Sequence, residues 1–241
     1  MIHSQFNFFM IIDNVNRITA EIHEKCIKVN RTPSEVKLIA VSKNFDVPDI
    51  MEAYNAGIRR FGENKAQEMK SKADQLNLDF EWHFVGHLQT NKVKYIIDKV
   101  KYIHSIDSLK LAETVAKQAE NKNKKLNVLL EIKTSDEATK YGLSADKEIY
   151  EVAEFCKQSF NLQLKGLMTI APFTDDAVEI RRSFVELRKL GERMEKDGFE
   201  ISEYSMGMTS DFKIAIEEGA TFVRIGTDIF GERNYLLGGK A

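Results

Sequence analysis

The chain has 241 residues, an apolar content of 43% and a formal net charge of -2. This balance gives no clustered basic surface of the kind that nucleic acid requires, so we expect no nucleic-acid partner. The apolar content is enough for one domain of barrel size or for two small domains.

The cysteine content and the first residues of the chain indicate in which cellular compartment the protein is expected. Only Cys26 and Cys156 occur, far apart and without metal-ligand spacing, which predicts a reduced, cytoplasmic protein. No apolar run is long enough to cross a bilayer, so we expect no membrane association. Residues 1–10 lack the features of a signal peptide and are predicted to be a flexible N-terminal extension. Met10 is an alternative start to Met1, in which case Met1–Phe9 would form the extension. Residues 234–241 are interpreted as a C-terminal tail.

The hydrophobic pattern alternates between strand and helix periods after a leading amphipathic helix at Ile11–Val29. Eight strands are predicted at Val36–Ser42, Ile58–Gly62, Phe80–Gly86, Tyr102–Ile106, Asn127–Ile132, Leu164–Ile170, Ile201–Met206 and Thr221–Gly226. Helices are predicted between them at Pro48–Asn55, Lys65–Leu76, Lys92–Lys99, Ser108–Asn121, Asp146–Gln158, Asp175–Lys196 and Phe212–Glu218.

This alternation favours a single α/β domain over residues 11–233, a (β/α)₈ TIM barrel with an extra N-terminal helix. The competing architecture is a doubly wound open sheet. Such a sheet would ordinarily carry a glycine-rich turn after its first strand, and Ser42-Lys43-Asn44-Phe45 stands there instead.

In a barrel the reacting groups stand at the carboxyl ends of the strands. The residues at these ends are Lys43, Asn64, His83, Met168, Ser205, Arg224 and Thr227. Strand parity places Ile39, Val41 and Lys43 on one face, and it places Phe222 and Arg224 on one face of the last strand. Both Lys43 and Arg224 can therefore point inward.

Lys43 ends an early buried strand, where desolvated surroundings would favour a neutral amine able to condense with an aldehyde. The alternative is a charged strand end that extends to water.

Gly207 and Gly226 follow the seventh and eighth strands, where barrels commonly build a phosphate site. Backbone N–H groups and the hydroxyls of Ser205 and Thr227 would supply donors to an anion. Alternatively, the two glycines only make turns.

Arg224 stays protonated in a barrel mouth and needs an acceptor, such as a phosphate, a carboxylate or a ring nitrogen. The alternative is a buried ion pair with Glu63 or Glu203. A lysine beside a phosphate site, with an arginine available to a pyridine nitrogen, is the grouping that a pyridoxal phosphate pocket needs.

Seven motifs resemble those of the pyridoxal phosphate homeostasis protein family, whose barrels are related to the N-terminal domain of alanine racemase. The resemblance covers nearly all of Ile11–Arg233. The motifs are Ile39-Ala40-Val41-Ser42-Lys43, Phe61-Gly62-Glu63-Asn64, Trp82-His83-Phe84-Val85-Gly86-His87-Leu88-Gln89, His104-Ser105-Ile106-Asp107, Gly166-Leu167-Met168, Ser205-Met206-Gly207-Met208 and Val223-Arg224-Ile225-Gly226-Thr227 with Ile229-Phe230-Gly231.

The resemblance implies that pyridoxal 5'-phosphate (PLP) is bound covalently by Lys43 while Arg224 faces the pyridine nitrogen. It also implies that Ser205, Gly207, Gly226 and Thr227 surround the phosphate, that Asn64 and Met168 flank the ring, and that His83 belongs to the site. An arginine does not give its proton to the ring nitrogen, so the cofactor would be a weaker electron sink than one facing an aspartate. Asn44 and Phe45 depart from the family pattern in the loop after the lysine.

The implied function is PLP binding in vitamin B6 homeostasis, as a carrier or buffer without evident catalysis. The alternative is a racemase-type PLP enzyme, which needs a second acid or base on the other face of the substrate. In racemases a tyrosine of a C-terminal β domain serves this purpose, and here ten residues follow Gly231. We therefore expect a monomeric carrier that delivers PLP to recipient enzymes, with Tyr141 as a lid or surface aromatic.

Two further interpretations have less support from the sequence. A phosphosugar barrel would use Lys43 as an aldolase does. The i,i+4 pair His83 and His87 could suggest a metal site, but no third ligand is near it in the sequence, so no metal is expected.

Overall fold

The computed structural model describes residues 10–135 and 141–231. The predicted tail at 234–241 and all of the predicted extension except Met10 lie outside the described residues, as do the last two residues of the predicted barrel. Within the described part of the chain, no helix is both long enough and apolar enough to span a membrane.

Eight parallel strands close into a barrel in chain order, so the predicted (β/α)₈ architecture is confirmed. The strands are β1 Lys37–Val41, β2 Arg60–Glu63, β3 Glu81–Phe84, β4 Val100–Ile106, β5 Leu126–Glu131, β6 Leu162–Met168, β7 Glu203–Ser205 and β8 Phe222–Ile225. The first and last strands pair directly, with Ile39 opposite Arg224. Residues from the two ends of the chain therefore meet in one sheet.

The helices of the outer layer are α1 Ile11–Lys28, α2 Val47–Asn55, α3 Ala66–Gln75, α4 Leu109–Asn121, α5 Asp146–Gln158, α6 Ala177–Lys196, α7 Phe212–Glu217 and α8 Thr227–Phe230. The leading helix α1 buries one stripe, formed by Val15, Ile18, Ile22 and Cys26. This stripe packs on α2, α7 and α8. The helix α1 therefore lies against the helices that adjoin β1 and β8 in the chain.

The chain between β3 and β4 differs from the prediction of a helix at Lys92–Lys99. A 3-10 helix at Thr90–Tyr95 stands there, in which the Ile96 amide donates to the carbonyl of Val93 at 3.1 Å. Val93, Ile96 and Ile97 are buried in this tighter arrangement. Their i,i+3,i+4 spacing satisfies both helix types, so the pattern could not distinguish them. The short helix α8 was not predicted.

The barrel has two interiors of different chemistry. The space between the sheet and the helices holds one large apolar cluster, whereas Ile39, Val41 and Phe222 form a small separate cluster inside the barrel. The rest of the barrel interior includes buried polar side chains, among them His83 and His104. Polar interiors need internal hydrogen-bond partners, and the partners found here connect the interior with the carboxyl end of the barrel.

Candidate functional site

Lys43 lies on a turn just beyond β1. The Phe45 amide donates to the Ser42 carbonyl at 3.0 Å, and Asn44 has φ of +64°, which together make a tight turn with Lys43 at its second position. Lys43 itself is exposed. The expectation of desolvated surroundings for the Lys43 amine is therefore wrong, because the turn carries the side chain beyond the packed end of the strand.

Arg224 is buried inside the barrel, 4% exposed. Its Nη1 donates to Ser205 Oγ at 2.7 Å and its Nη2 donates to the Thr169 carbonyl at 2.9 Å. Burial lowers the pKa of the guanidinium to about 10, while the charges of Asp211 and Glu131 oppose that shift. The group is thus a fixed cation at neutral pH.

The alternative of an ion pair between Arg224 and Glu63 or Glu203 is wrong. Glu63 pairs with Lys72 at 2.7 Å on the outer side of the sheet, and Glu203 pairs with Lys37 at 2.6 Å. Each buried carboxylate thus has its own lysine.

A chain of hydrogen bonds leads from Arg224 into the barrel. Ser205 Oγ lies 2.8 Å from His104 Nδ1, and His104 Nε2 lies 2.9 Å from His83 Nδ1. The His83 ring stacks on Tyr102, with 4.9 Å between the centroids. Burial lowers the pKa of His83 and lowers that of His104 well below its ordinary value. Both rings are therefore neutral at neutral pH.

The hydrogen bonds from Arg224 to His83 have one favourable direction of donation. A guanidinium only donates hydrogen bonds, so Ser205 Oγ accepts from Arg224. The Ser205 hydroxyl can then donate its own hydrogen bond to His104 Nδ1. Neutral His104 then donates from Nε2 to His83 Nδ1, which leaves the His83 proton on Nε2, 3.5 Å from Glu81 Oε2. The reverse order would aim the lone pair of His83 Nε2 at this carboxylate.

Two predicted site residues lie inside the barrel next to Arg224. Ser205 is fully buried, and its hydroxyl is bonded to Arg224 and His104. His83 is also fully buried, and its ring packs against Tyr102 and Phe222. The contact of both side chains with a ligand stays a prediction.

Asn64 and Met168 lie at the carboxyl ends of their strands. Asn64 follows β2 and is partly buried, and its Oδ1 has no hydrogen-bond partner among the described residues. Met168 ends β6 and is 1% exposed, opposite Ser205 in the register of β6 and β7. The unpaired amide oxygen of Asn64 is an acceptor that a polar ligand could satisfy, and the contact of both residues with the ring stays a prediction.

The two glycines of the expected phosphate site have different surroundings. Gly207 has φ of +93°, and a Cβ there would lie 2.6 Å from the Ala215 Cβ of α7, so the turn and its packing require glycine. Gly226 precedes α8, and a Cβ there would lie 3.2 Å from the Val41 carbonyl. Thr227 begins α8 directly after β8. The role of Gly207, Gly226 and Thr227 in phosphate binding stays a prediction.

The structure adds two residues that the sequence interpretation did not assign to the site. One is His104, which shares the inward face of β4 with Tyr102 and was only part of a quoted motif. The other is Glu131, at the end of β5. Its pKa is raised to about 7, mainly by burial and also by the charge of Asp107, while Arg224 opposes the shift. Alternation along β4 and β5 is the signal that could have identified both.

The rim of the mouth carries Tyr141, which is 56% exposed and stacks on the His87 ring at 3.7 Å. His87 Nδ1 lies 3.0 Å from Asp107 Oδ2. His83 and His87 thus lie in separate environments. Among the residues that the structure describes, no group of three or more His, Cys, Asp or Glu side chains could hold a metal ion.

The family is established by a model described as "Alanine racemase, N-terminal domain", which matches residues 20–234. The chain belongs to this family. Curated relatives carry the name pyridoxal phosphate homeostasis protein. The protein of that name from Aquifex aeolicus is 40% identical over 225 residues, which are 92% of this chain and 98% of the relative. The one from Helicobacter pylori strain 26695 is 42% identical over 202 residues, 82% of this chain and 88% of the relative.

Solved structures agree with this fold. PipY of Synechococcus elongatus PCC7942, solved with PLP bound, superposes with a TM-score of 0.78 at 35% identity, over 87% of this chain and 100% of PipY. An alanine racemase of Clostridium difficile superposes with a TM-score of 0.75 at 14% identity, over 93% of this chain and 58% of the racemase. The racemase comparison shows the fold alone.

Proposed function

We propose that this protein binds pyridoxal 5'-phosphate at the carboxyl end of its barrel and acts in the homeostasis of that cofactor. The observation that carries the proposal is the placement of an exposed amine just after β1 and of a buried, fixed guanidinium on β8, since these strands are neighbours in the closed barrel. The relatives at about 40% identity bear the homeostasis name over nearly their full length.

The residues at the mouth fit this cofactor. Lys43 supplies an amine to the aldehyde, Arg224 supplies a fixed donor to the pyridine nitrogen, and Asn64 and Met168 offer an orphaned acceptor and an apolar contact to the ring. Gly226, Thr227 and the Gly207 turn supply backbone and hydroxyl donors to the phosphate. When bound, PLP supplies a reactive aldehyde and an electron-withdrawing ring.

Covalent attachment would follow from condensation at Lys43. The amine nitrogen forms a C=N bond with the aldehyde carbon, and the aldehyde oxygen leaves as water. Because Arg224 keeps its proton at neutral pH, the ring nitrogen would accept a hydrogen bond without being protonated. The chain would therefore hold the aldehyde more readily than it would activate an amino acid.

Borohydride reduction followed by peptide mass mapping tests the attachment. We expect one reduced adduct, on Lys43, together with visible absorbance in the unreduced complex. Lys43→Ala should lose both signals, and Lys70→Ala, at an exposed lysine of α3, should keep them. An adduct on another lysine, or a colourless protein as expected of an aldolase-type barrel, would contradict the proposal.

The proposal includes delivery of PLP to recipient enzymes by a monomer in the cytoplasm, without turnover of alanine. Two free, buried cysteines support a reducing compartment. Incubation with L- and D-alanine should leave both enantiomers unchanged. Racemisation abolished by Tyr141→Phe would instead favour the racemase-type alternative.

A further inference from the structure

A buried ammonium group lies directly behind the turn that carries Lys43. Lys72 of α3 is 6% exposed, and its Nζ donates to the Ser42 carbonyl at 2.8 Å, to Glu63 Oε1 at 2.7 Å and to Glu68 Oε1 at 2.7 Å. An ammonium group has three donors, so all of them are used. The geometry of this group is therefore fully determined by its partners.

Both neighbours of Lys43 are bound to this cluster. On one side, Ser42 accepts from Lys72 through its carbonyl and donates from Oγ to Glu63 Oε1 at 2.7 Å. On the other side, the amide of Asn44 donates to Glu68 Oε1. Lys43 itself is exposed between them. The cluster thus restrains the backbone on either side of an exposed side chain.

A purely structural role is the competing explanation. Burial raises the pKa of Glu63, which Lys72 opposes, so the cluster contains a desolvated charge. Buried ion pairs often contribute little net stability compared with apolar residues of similar size. Their better attested use is to specify one arrangement of the chain, and here the arrangement specified is the turn that carries the reactive amine.

We propose that Lys72 is a positioning residue for covalent capture of the aldehyde at Lys43. The inference rests on the proposed function and deepens it. In the condensation, the Lys43 nitrogen must approach the aldehyde carbon along one direction before the C=N bond forms and water leaves. Fixing the Ser42 carbonyl and the Asn44 amide limits the positions from which that side chain can start.

The experiment separates binding from capture with two ligands. Pyridoxine 5'-phosphate carries an alcohol instead of the aldehyde, so its affinity reports the pocket without Lys43 chemistry. PLP reports both, through the rate at which visible imine absorbance appears. For Lys72→Met we expect the rate of imine formation to fall roughly 10- to 100-fold, as misplacement of a reacting group does. The dissociation constant of pyridoxine 5'-phosphate should stay within about twofold of the wild-type value, since the pocket itself is unchanged.

Matched variants keep the test decisive. Lys70→Met changes an exposed lysine of the same helix, which pairs with Asp74, and should leave both readouts at wild-type values. Lys72→Arg keeps the charge and should recover part of the rate. Glu68→Ala releases the Asn44 amide but keeps the bonds of Lys72 to Ser42 and Glu63, so a smaller loss of rate is expected even if Lys72→Met fails to fold.

Two results would overturn the inference. One is an equal loss of pyridoxine 5'-phosphate affinity and imine rate, which indicates a structural role only. The other is an unchanged imine rate in folded Lys72→Met and Glu68→Ala. Failure of the proposed function looks different, because wild-type protein itself would then give no reduced adduct on Lys43.

Discussion

The mouth of the barrel carries two cationic side chains from neighbouring strands, and they are held in opposite ways. Lys43 extends from an exposed turn, and the buried Lys72 restrains only the backbone beside it. Arg224 is buried and its guanidinium is bonded to Ser205 and to the Thr169 carbonyl. In the proposed PLP site, the group that would form a bond keeps its side chain free, whereas the group that would orient the ligand has its own atoms fixed.

Removal of the fixed cation should have the largest effect on stability. Arg224→Met takes away two hydrogen bonds to a charged group, each of which contributes about 1.5–3 kcal/mol. We therefore expect the free energy of unfolding, measured by urea denaturation, to fall by about 3 kcal/mol or more. Lys43→Met should leave it almost unchanged, because that side chain is exposed. Equal effects of the two variants would contradict the contrast between the two cations.

Interruption of the chain below Arg224 should have a smaller effect. His104→Leu removes the acceptor of the Ser205 hydroxyl proton and the partner of His83 Nδ1, while Ser205 Oγ still accepts from Arg224. A buried group left unpaired costs about 1–3 kcal/mol. Thermal and urea unfolding check this value. His87→Leu, at an exposed histidine of the rim, serves as the control and should change stability by less than half as much.

The buried carboxyl of Glu131 should make the free energy of unfolding depend on pH. Its folded-state pKa is raised to about 7, so the proton that it keeps stabilises the fold at low pH, and this contribution is lost as pH rises through 7. Glu131→Gln cannot ionise. We expect no difference in stability between variant and wild type below the ordinary pKa of a glutamate, and a growing advantage of the variant up to about 1–3 kcal/mol at pH 8. A constant difference at all pH values would show that Glu131 does not titrate in this range.

The turn of Lys43 should show the smallest effect. Asn44 adopts a positive φ, which asparagine tolerates and alanine does not favour. Asn44→Ala should lower the free energy of unfolding by about 1 kcal/mol, and Asn44→Gly should not lower it. The rate of imine formation in the glycine variant then measures how much the stiffness of the turn contributes to capture.

The fold was predictable because strand and helix periods alternate along the chain, and this pattern does not depend on distant partners. Strand parity also placed Arg224 inside the barrel correctly. Strand parity could not predict the direction of the Lys43 side chain, because the turn at Ser42–Phe45 begins where the alternation of the strand ends.

The partners of the inward side chains could not be predicted in the same way. Ser205 is hydrogen-bonded to Arg224 and His104 only because β4, β7 and β8 bring the three side chains together at one level of the barrel. That level depends on the stagger between strands, which the sequence of any single strand does not contain. The hydrogen bonds of Ser205 to Arg224 and His104 were therefore not predicted, and its phosphate contact stays a prediction.

The pairing of β1 with β8 has a consequence for biosynthesis. The turn of Lys43 leaves the ribosome early, but Arg224 emerges only when almost the entire chain has been translated. A nascent chain therefore displays the reactive amine long before it can offer a ligand the opposite wall of the mouth. In the proposed PLP site, selective capture of the aldehyde would begin only once β8 has paired with β1, so closure of the barrel would also switch on discrimination between ligands.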